Sequence, residues 1–227
     1  MSKQPESAKA PLQTGQSGDG IVVIGGGGHA KVVITILRKL KRHCILGYTD
    51  LKDNGALLGV PYLGSDRELV ALGVGSKKLN AVLAVGQVGL GELRYELWTR
   101  LHSPALYFPF IVSPDAVVNE EVSFGEGAVV MDGAVINTGA TIGRGAIVNT
   151  NSAIEHDVVL EDWVHLAPGA TISGGATIGC FSMIGAGATV IEGIKIAAGC
   201  IVGAGATVVR DLVEPGVYVG GPARRIK

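Results

Sequence analysis

Aromatic residues are scarce in this chain of 227 residues: it has four Phe, two Trp and five Tyr. A core of ordinary size must then be built from small and β-branched side chains at close spacing. Cysteine is scarce too. Cys44, Cys180 and Cys200 are an odd number at no metal-like spacing, which argues against a disulfide framework or a structural zinc site and fits reduced thiols in the cytoplasm. Net charge is almost absent, at −1, so bulk electrostatics call for neither nucleic acid nor an anionic membrane. Long apolar runs are missing as well. The first, Ile21 to Ile24, is too short for a signal peptide or a membrane span. It follows a polar stretch, residues 1–19, whose Ser, Gln, Gly and Lys content predicts a disordered leader.

What the chain has in excess is glycine, 35 residues of it, and much of it is periodic. From Ala116 the sequence divides into sixteen hexads without a slip, among them AVVNEE, VSFGEG, ATIGRG, SAIEHD, ATISGG and ATVVRD. Position three is apolar in all of them, from Val118 through Ile136, Ile154 and Ile172 to Val208, and position one is small or β-branched. A period of six fits neither an α-helix nor a hairpin sheet, but suits short strands separated by turns. The expected solution is a parallel β-helix with position three pointing inward and stacking from coil to coil, over residues 109–227. Glycine at position six supplies the corner conformations. An ice-binding β-helix would need outward Thr-x-Thr arrays. Thr141, Thr171, Thr177, Thr189 and Thr207 occupy position two, but position four never pairs with them as Thr.

Before the repeat, the period changes. IVVIGGGGHAKVVITILRKLKR reads as a strand, a Gly-rich turn and a helix, and a second strand follows from Cys44, ending at Thr49 and Asp50. KLNAVLAVG reads as a buried strand, GELRYELWTRLH as an amphipathic helix, and ALYFPFIV as one last short strand leading into the repeat. Alternating strands and helices predict a small Rossmann-like α/β domain over residues 20–108. Gly25 to Ala30 fits G-x-G-x-x-A, with Asp50 beyond it at the end of the second strand. Glycines there let a phosphate approach backbone N–H groups at a helix N-terminus, which points to a phosphorylated nucleotide rather than to hydride chemistry. The competing reading is that these glycines serve close strand–helix packing.

The repeat contains one run of three ionisable residues, Glu155, His156 and Asp157, within NSAIEHD. His156 falls at a turn position that cannot face the core filled by Ile154. An imidazole there can accept a proton near neutrality, and either Asp157 or Glu155 can hold its other nitrogen. His165 follows nine residues later, half of an eighteen-residue coil, so the two histidines lie on roughly opposite sides of one prism. They can share a site only across an interface between chains. Small residues at Gly174, Ala186 and Ala204 would let a ligand lie against backbone donors, and Arg224, Arg225 and Lys227 form a basic tail suited to phosphates.

The repeat, the GGGGHAK turn and SAIEHD together resemble the two-domain sugar acetyltransferases that include sialic acid O-acetyltransferases and the N-acetyltransferases of nucleotide-linked 4-amino-6-deoxy sugars of the bacillosamine and perosamine type. The resemblance spans Ile21 to Lys227. It implies a left-handed β-helix, since the general crossover rule is right-handed, and a cytoplasmic homotrimer without a metal. It also implies acetyl-CoA as cosubstrate in the groove between prisms, where His165 matches a cofactor-contacting position. The small domain would hold the nucleotide sugar through Gly27, Gly28, His29, Thr49, Asp50 and Gly64. His156 would be the base, with Asp157 the closer match to the family's orienting carboxylate. The expected reaction is N-acetylation of a UDP- or GDP-linked 4-amino-4,6-dideoxy sugar for a bacterial surface glycan. O-acetylation of a sialic acid and a non-catalytic scaffold are the alternatives. A γ-carbonic anhydrase shares the β-helix but needs three zinc histidines, and the repeat has only His156 and His165.

Overall fold

A computed structural model describes residues 20–66, 68–69, 79–87 and 89–227. The expected leader, residues 1–19, lies outside the described residues. The N-terminal part is a parallel sheet of β1 (Gly20–Ile24), β2 (Cys44–Thr49), β3 (Leu79–Leu83) and β4 (Leu106–Tyr107), in the order β2-β1-β3-β4. Helix α1 (Gly28–Leu40) follows β1 directly, and α2 (Glu92–Leu101) precedes β4. The apolar run of β1 is explained by its central place in the sheet: Ile21 to Ile24 are all buried, pairing with β2 on one side and β3 on the other.

From Ile111 the chain winds as a left-handed parallel β-helix of about six turns. Its seventeen short strands run from β5 (Ile111–Val112) to β21 (Thr207–Val208) and sort into three parallel faces, partners being eighteen residues apart. Position-three side chains such as Val130, Ile136, Ile154, Leu166 and Ile178 form one continuous buried column. Corner residues at position six take the left-handed backbone region. Where the sequence departs from glycine there, at Glu121, Asn151, Asp157, Trp163 and Phe181, the φ angle is still positive, Asp211 at the end of the last hexad being the exception. The expected single strand in ALYFPFIV is in fact two. Leu106–Tyr107 closes the N-terminal sheet, and Ile111–Val112 already begins the β-helix. Pro109 lies between them and has no N–H to give to a ladder, which ends one sheet before the other starts. The repeat therefore begins one hexad earlier than the sequence count, and the prism is longer than the five and a third turns of sixteen hexads.

The three faces differ at position two. On the face built on β5 the residues are Ile111, Val129, Ile147, His165, Met183 and Ile201, and the small domain packs there. Ile111, Val129, Met131 and Ile147 join one core with Val33, Ile36 and Leu37 of α1 and its surroundings, while Trp163 joins another with Leu97, Trp98 and Leu101 of α2. Lys39 on α1 adds an ion pair to Asp115 at 2.7 Å and a second to Asp132. The other two faces carry Thr, Ser, Val, Ala and Lys at position two.

Candidate functional site

His156 follows strand β12 (Ala153–Ile154), whose Ile154 is completely buried and fixes the turn. The imidazole is exposed. Its Nδ1 lies 3.0 Å from Asp157 Oδ2, and Asp157 adopts φ 59°, so the carboxylate turns back toward the ring. The Nε2 edge lies over Gly174, one coil on. A Cβ at Gly174 would come within 2.6 Å of Nε2 and 2.7 Å of Cε1, so only glycine leaves the ring its place. The pKa of His156 is raised above 6.5, chiefly by the Asp157 hydrogen bond, which acts against partial desolvation and is joined by smaller contributions from the charges of Asp157, Glu155 and Glu192. Glu155 does not bond the imidazole. Its Oε2 accepts from Asn137 Nδ2 at 2.8 Å. A ring nitrogen held by a carboxylate, with the opposite nitrogen facing open space over glycine, is the arrangement of a general base.

His165, in strand β14 (His165–Leu166), is in a different environment, 6% exposed beneath the small domain. Asn149 Oδ1 accepts from the Thr150 N–H at 2.8 Å, which turns Asn149 Nδ2 toward His165 Nε2 at 3.3 Å. Nε2 is therefore the acceptor and the ring proton sits on Nδ1. Nδ1 is buried without a full hydrogen-bond partner, and the Gln87 backbone beside the ring slightly opposes the fall in its pKa. His29 from α1 and Arg94 from α2 reach the same seam. Arg94 is 1% exposed, donates from Nη1 to the Gly145 carbonyl at 2.7 Å, and its guanidinium lies 5.7 Å from the Trp163 ring centroid. Its Nε and Nη2, with His29 Nε2 and Gln87 Oε1, are buried without a partner. Burial and the Arg94 charge hold both His29 and His165 at a pKa of about 4, and His29 also feels His165. Burial lowers Arg94 to about 9. No carboxylate contributes to these shifts, so the pair is neutral at physiological pH.

The Gly-rich turn divides by role. Gly25 has φ 109° and sits against Ala84 and Val85, and a side chain on Gly26 would strike Asp50 and Tyr48. Those two glycines serve packing. Gly27, the N-cap, and Gly28 open onto empty space, and no side chain caps the helix, so the first-turn amides of α1 are offered to a ligand. Asp50 borders the turn: its Oδ2 accepts from the Gly26 N–H at 2.8 Å and its Oδ1 from the Leu51 N–H at 2.6 Å. The Gly64 carbonyl accepts from the Asp50 N–H. Thr49 is fully buried and its hydroxyl donates to Asp66 at 3.0 Å, so it fixes the end of β2 and presents no polar atom outward. The structure thus brings Gly27, Gly28, Asp50 and Gly64 to one edge of the sheet and places His29 in the seam with His165.

Ala186 and Ala204 are exposed and stacked one coil apart, the Gly205 N–H bonding the Ala186 carbonyl at 2.9 Å. They follow strands of the His165 face, whereas Gly174 follows the His156 face, so one chain does not unite them. The tail pairs as an antiparallel strand, Arg224–Arg225, with Gly216–Val219. Arg225 is engaged by Glu214 at 2.5 Å and by the Lys227 carbonyl, while Arg224 is exposed. Sequence reasoning did not find Arg94, Gln87 or Asn149. The available signal was the apolar position-two stripe of every third hexad, in which His165 is the one ionisable member.

Comparison with known proteins places this geometry. Residues 20–92 match the PglD N-terminal domain, and residues 139–174 and 175–210 each match the bacterial transferase hexapeptide model of six repeats. No curated protein matches the sequence. Among solved structures, PerB from Caulobacter crescentus in complex with CoA and GDP-perosamine is 38% identical with a TM-score of 0.83, over 92% of this chain and 97% of that one. The acetyltransferase domain of PglB from Neisseria gonorrhoeae, in complex with acetyl coenzyme A, is 31% identical with a TM-score of 0.85, over 93% and 100%. WeeI from Acinetobacter baumannii is 25% identical with a TM-score of 0.81, over 92% and 100%. With full-length similarity at this level, and with both the small α/β domain and the hexapeptide β-helix matched, the chain belongs to the left-handed β-helix sugar acetyltransferases of the perosamine N-acetyltransferase and PglB type.

Proposed function

We propose that the protein transfers an acetyl group from acetyl-CoA to the 4-amino group of a nucleotide-linked 4-amino-4,6-dideoxy sugar, GDP- or UDP-linked, in the synthesis of a bacterial surface glycan. The observation that carries this reading is the exposed His156–Asp157 pair over Gly174, a base with its open nitrogen at the surface. A sugar amine is mostly an ammonium at neutral pH and must lose a proton before its nitrogen can attack. His156 Nε2 accepts that proton as the nitrogen adds to the thioester carbonyl. Collapse then breaks the C–S bond; of the two protons the nitrogen gives up in becoming an amide, one passes from the imidazolium to the departing CoA thiolate and the other to solvent, so the base is restored. Asp157 keeps Nδ1 protonated and stabilises the imidazolium. No cysteine lies near His156, which favours direct attack over an acyl-enzyme.

The diphosphate would lie on the free amides of Gly27 and Gly28, with Asp50 and Gly64 bordering the nucleoside. CoA would run along the stacked Ala186 and Ala204, its thioester carbonyl near Gly174 and its phosphates near Arg224 and Arg225. His156 and His165 lie on different faces of one prism, which supports a homotrimer in which neighbouring chains complete each site. His165, neutral and buried, is suited to hydrogen-bonding at that site and not to taking a proton. Acetyl-CoA as donor and the reduced cysteines support a cytoplasmic enzyme. Among the described residues no helix is long and apolar enough to cross a membrane.

The test is CoA release with GDP-perosamine, a UDP-linked 4-amino-4,6-dideoxy sugar and free sialic acid as acceptors. Turnover of a nucleotide amino sugar is the expected result. Turnover of sialic acid alone would replace N- with O-acetylation, and absence of CoA binding would leave a scaffold.

A further inference from the structure

We propose that Glu155 receives the ammonium group of the incoming amino sugar and that Asn137 is a positioning residue that holds Glu155 for this purpose. The inference rests on the acetyl-transfer reading and adds a binding role for the residue beside the base. On the His156 face, position four is Asn119, Asn137 and Glu155 in three successive coils. Asn119 Nδ2 donates to Asn137 Oδ1 at 2.6 Å, and Asn137 Nδ2 donates to Glu155 Oε2 at 2.8 Å. The backbone repeats in step, Asn119, Asn137 and Glu155 N–H groups bonding the Ile136, Ile154 and Ile172 carbonyls at 2.8 to 2.9 Å. The ladder stops at the coil that carries His156: the next position-four residues are Ser173 and Ile191.

Amide ladders on their own stabilise stacked strands. Stacking, however, is served by another amide and gives no reason to end on a half-buried carboxylate, whose desolvation is unfavourable without a cation. Among the described residues no salt bridge involves Glu155, and its charge is felt by His156. The chemistry supplies the missing cation. With a pKa of about 8, typical of an amine beside electron-withdrawing groups, the substrate arrives mainly as an ammonium. A neutral imidazole attracts that cation weakly, whereas a carboxylate with one oxygen fixed by Asn137 presents the other at no further ordering cost. Once the ammonium is held there, one of its protons passes to His156 and the nitrogen lone pair is released for attack.

The test compares binding of GDP-perosamine, or of the UDP-linked 4-amino sugar if that is the acceptor turned over, with its 4-hydroxyl counterpart, by calorimetry. Glu155→Gln keeps the size and the acceptor for Asn137, and Asn137→Leu removes the rung at similar volume. The unmodified protein should bind the amine at least about tenfold tighter than the hydroxyl compound, as a charged hydrogen bond requires. Glu155→Gln should abolish that preference, and Asn137→Leu should reduce it several-fold, through KM more than kcat. Asn119→Ala, one rung farther away, should have a smaller effect. An unchanged preference in folded Glu155→Gln, judged by its melting temperature, would overturn the proposal and leave the acetyltransferase reading intact. Failure of the unmodified protein to bind any of these nucleotide sugars would overturn both.

Discussion

His156 and His165 are nine residues apart in the same repeat, yet the fold treats them oppositely. His156 stands on an uncovered corner, its pKa raised by Asp157, while His165 lies under the small domain with its pKa lowered to about 4 by burial and Arg94. The hexad sets part of this difference, because His156 stands at a corner and His165 at position two of a strand. What packs on the face sets the rest: position two is exposed at Val135, Thr141 and Val159 on the other faces, and buried at Val129, Ile147 and His165 beneath the small domain. The second domain thus leaves the corner imidazole able to take a proton and fixes the other as a neutral hydrogen-bonding group.

Removing the exposed imidazole should separate the two histidines most clearly. His156→Asn should lower kcat by about 10² to 10⁴ with an unchanged melting temperature, since the side chain is exposed and general-base contributions are of that size. His165→Asn, by contrast, should cost stability as well as rate. Equal kinetic losses with no stability change in either variant would mean the two histidines share one role. Gly174→Ala comes next. Its Cβ would displace the imidazole, and a misplacement of about 1 Å costs about 10²-fold in rate, measurable as kcat with the thermal transition unaltered. Retained turnover would show that the ring works from another rotamer.

Acid stability reports chiefly on the covered face, the exposed His156 with its raised pKa acting in the opposite sense. In the unfolded chain His29 and His165 have ordinary pKa values near 6.5, against about 4 in the fold. As pH falls below 6.5 the unfolded state takes up protons that the folded state refuses, so stability is lost between 6.5 and about 4. The loss should be on the order of 1 kcal/mol per histidine by pH 5.5. Urea denaturation at pH 7.0 and 5.5 measures it, and the double variant His29→Gln, His165→Gln should flatten that part of the dependence. A slope that survives in the double variant would place the proton uptake elsewhere.

How legible each region was follows from the same contrast. The β-helix could be read because its inward positions repeat strictly, and a column of Val, Ile and Leu at position three admits one packing. The His156–Asp157 pair was legible as a candidate site because it interrupts that pattern with charge. Its supporting Gly174 followed from the eighteen-residue coil, and Asp157 from its adjacency. The seam was not legible. Arg94 looked like one more charge on an amphipathic helix, and His29 like part of an open phosphate turn, because burial there depends on docking between elements far apart in sequence. Thr49 was misleading for a related reason: it ends a strand beside the turn, but Asp66 takes its hydroxyl. The split of ALYFPFIV was obscured because apolar residues run on through Pro109, and only the pairing partners distinguish the two sheets.

At the exposed corner, altering the carboxylates should change the rate less than removing the imidazole. As a base His156 would act only when unprotonated, so kcat/KM should fall as pH drops through its pKa, which the Asp157 hydrogen bond raises above 6.5. In Asp157→Asn that bond loses its charge. The acid limb should move down toward the ordinary histidine value while the plateau falls about tenfold, because an amide orients the ring less firmly and stabilises the imidazolium less. Glu155→Gln should move the limb in the same direction by less, since Glu155 acts on the ring only through its charge. If the two variants shift the limb equally, the ring is held by the electrostatics of the corner and not by Asp157, and the assignment of an orienting partner fails. If neither shifts it, the titrating group in catalysis is not His156.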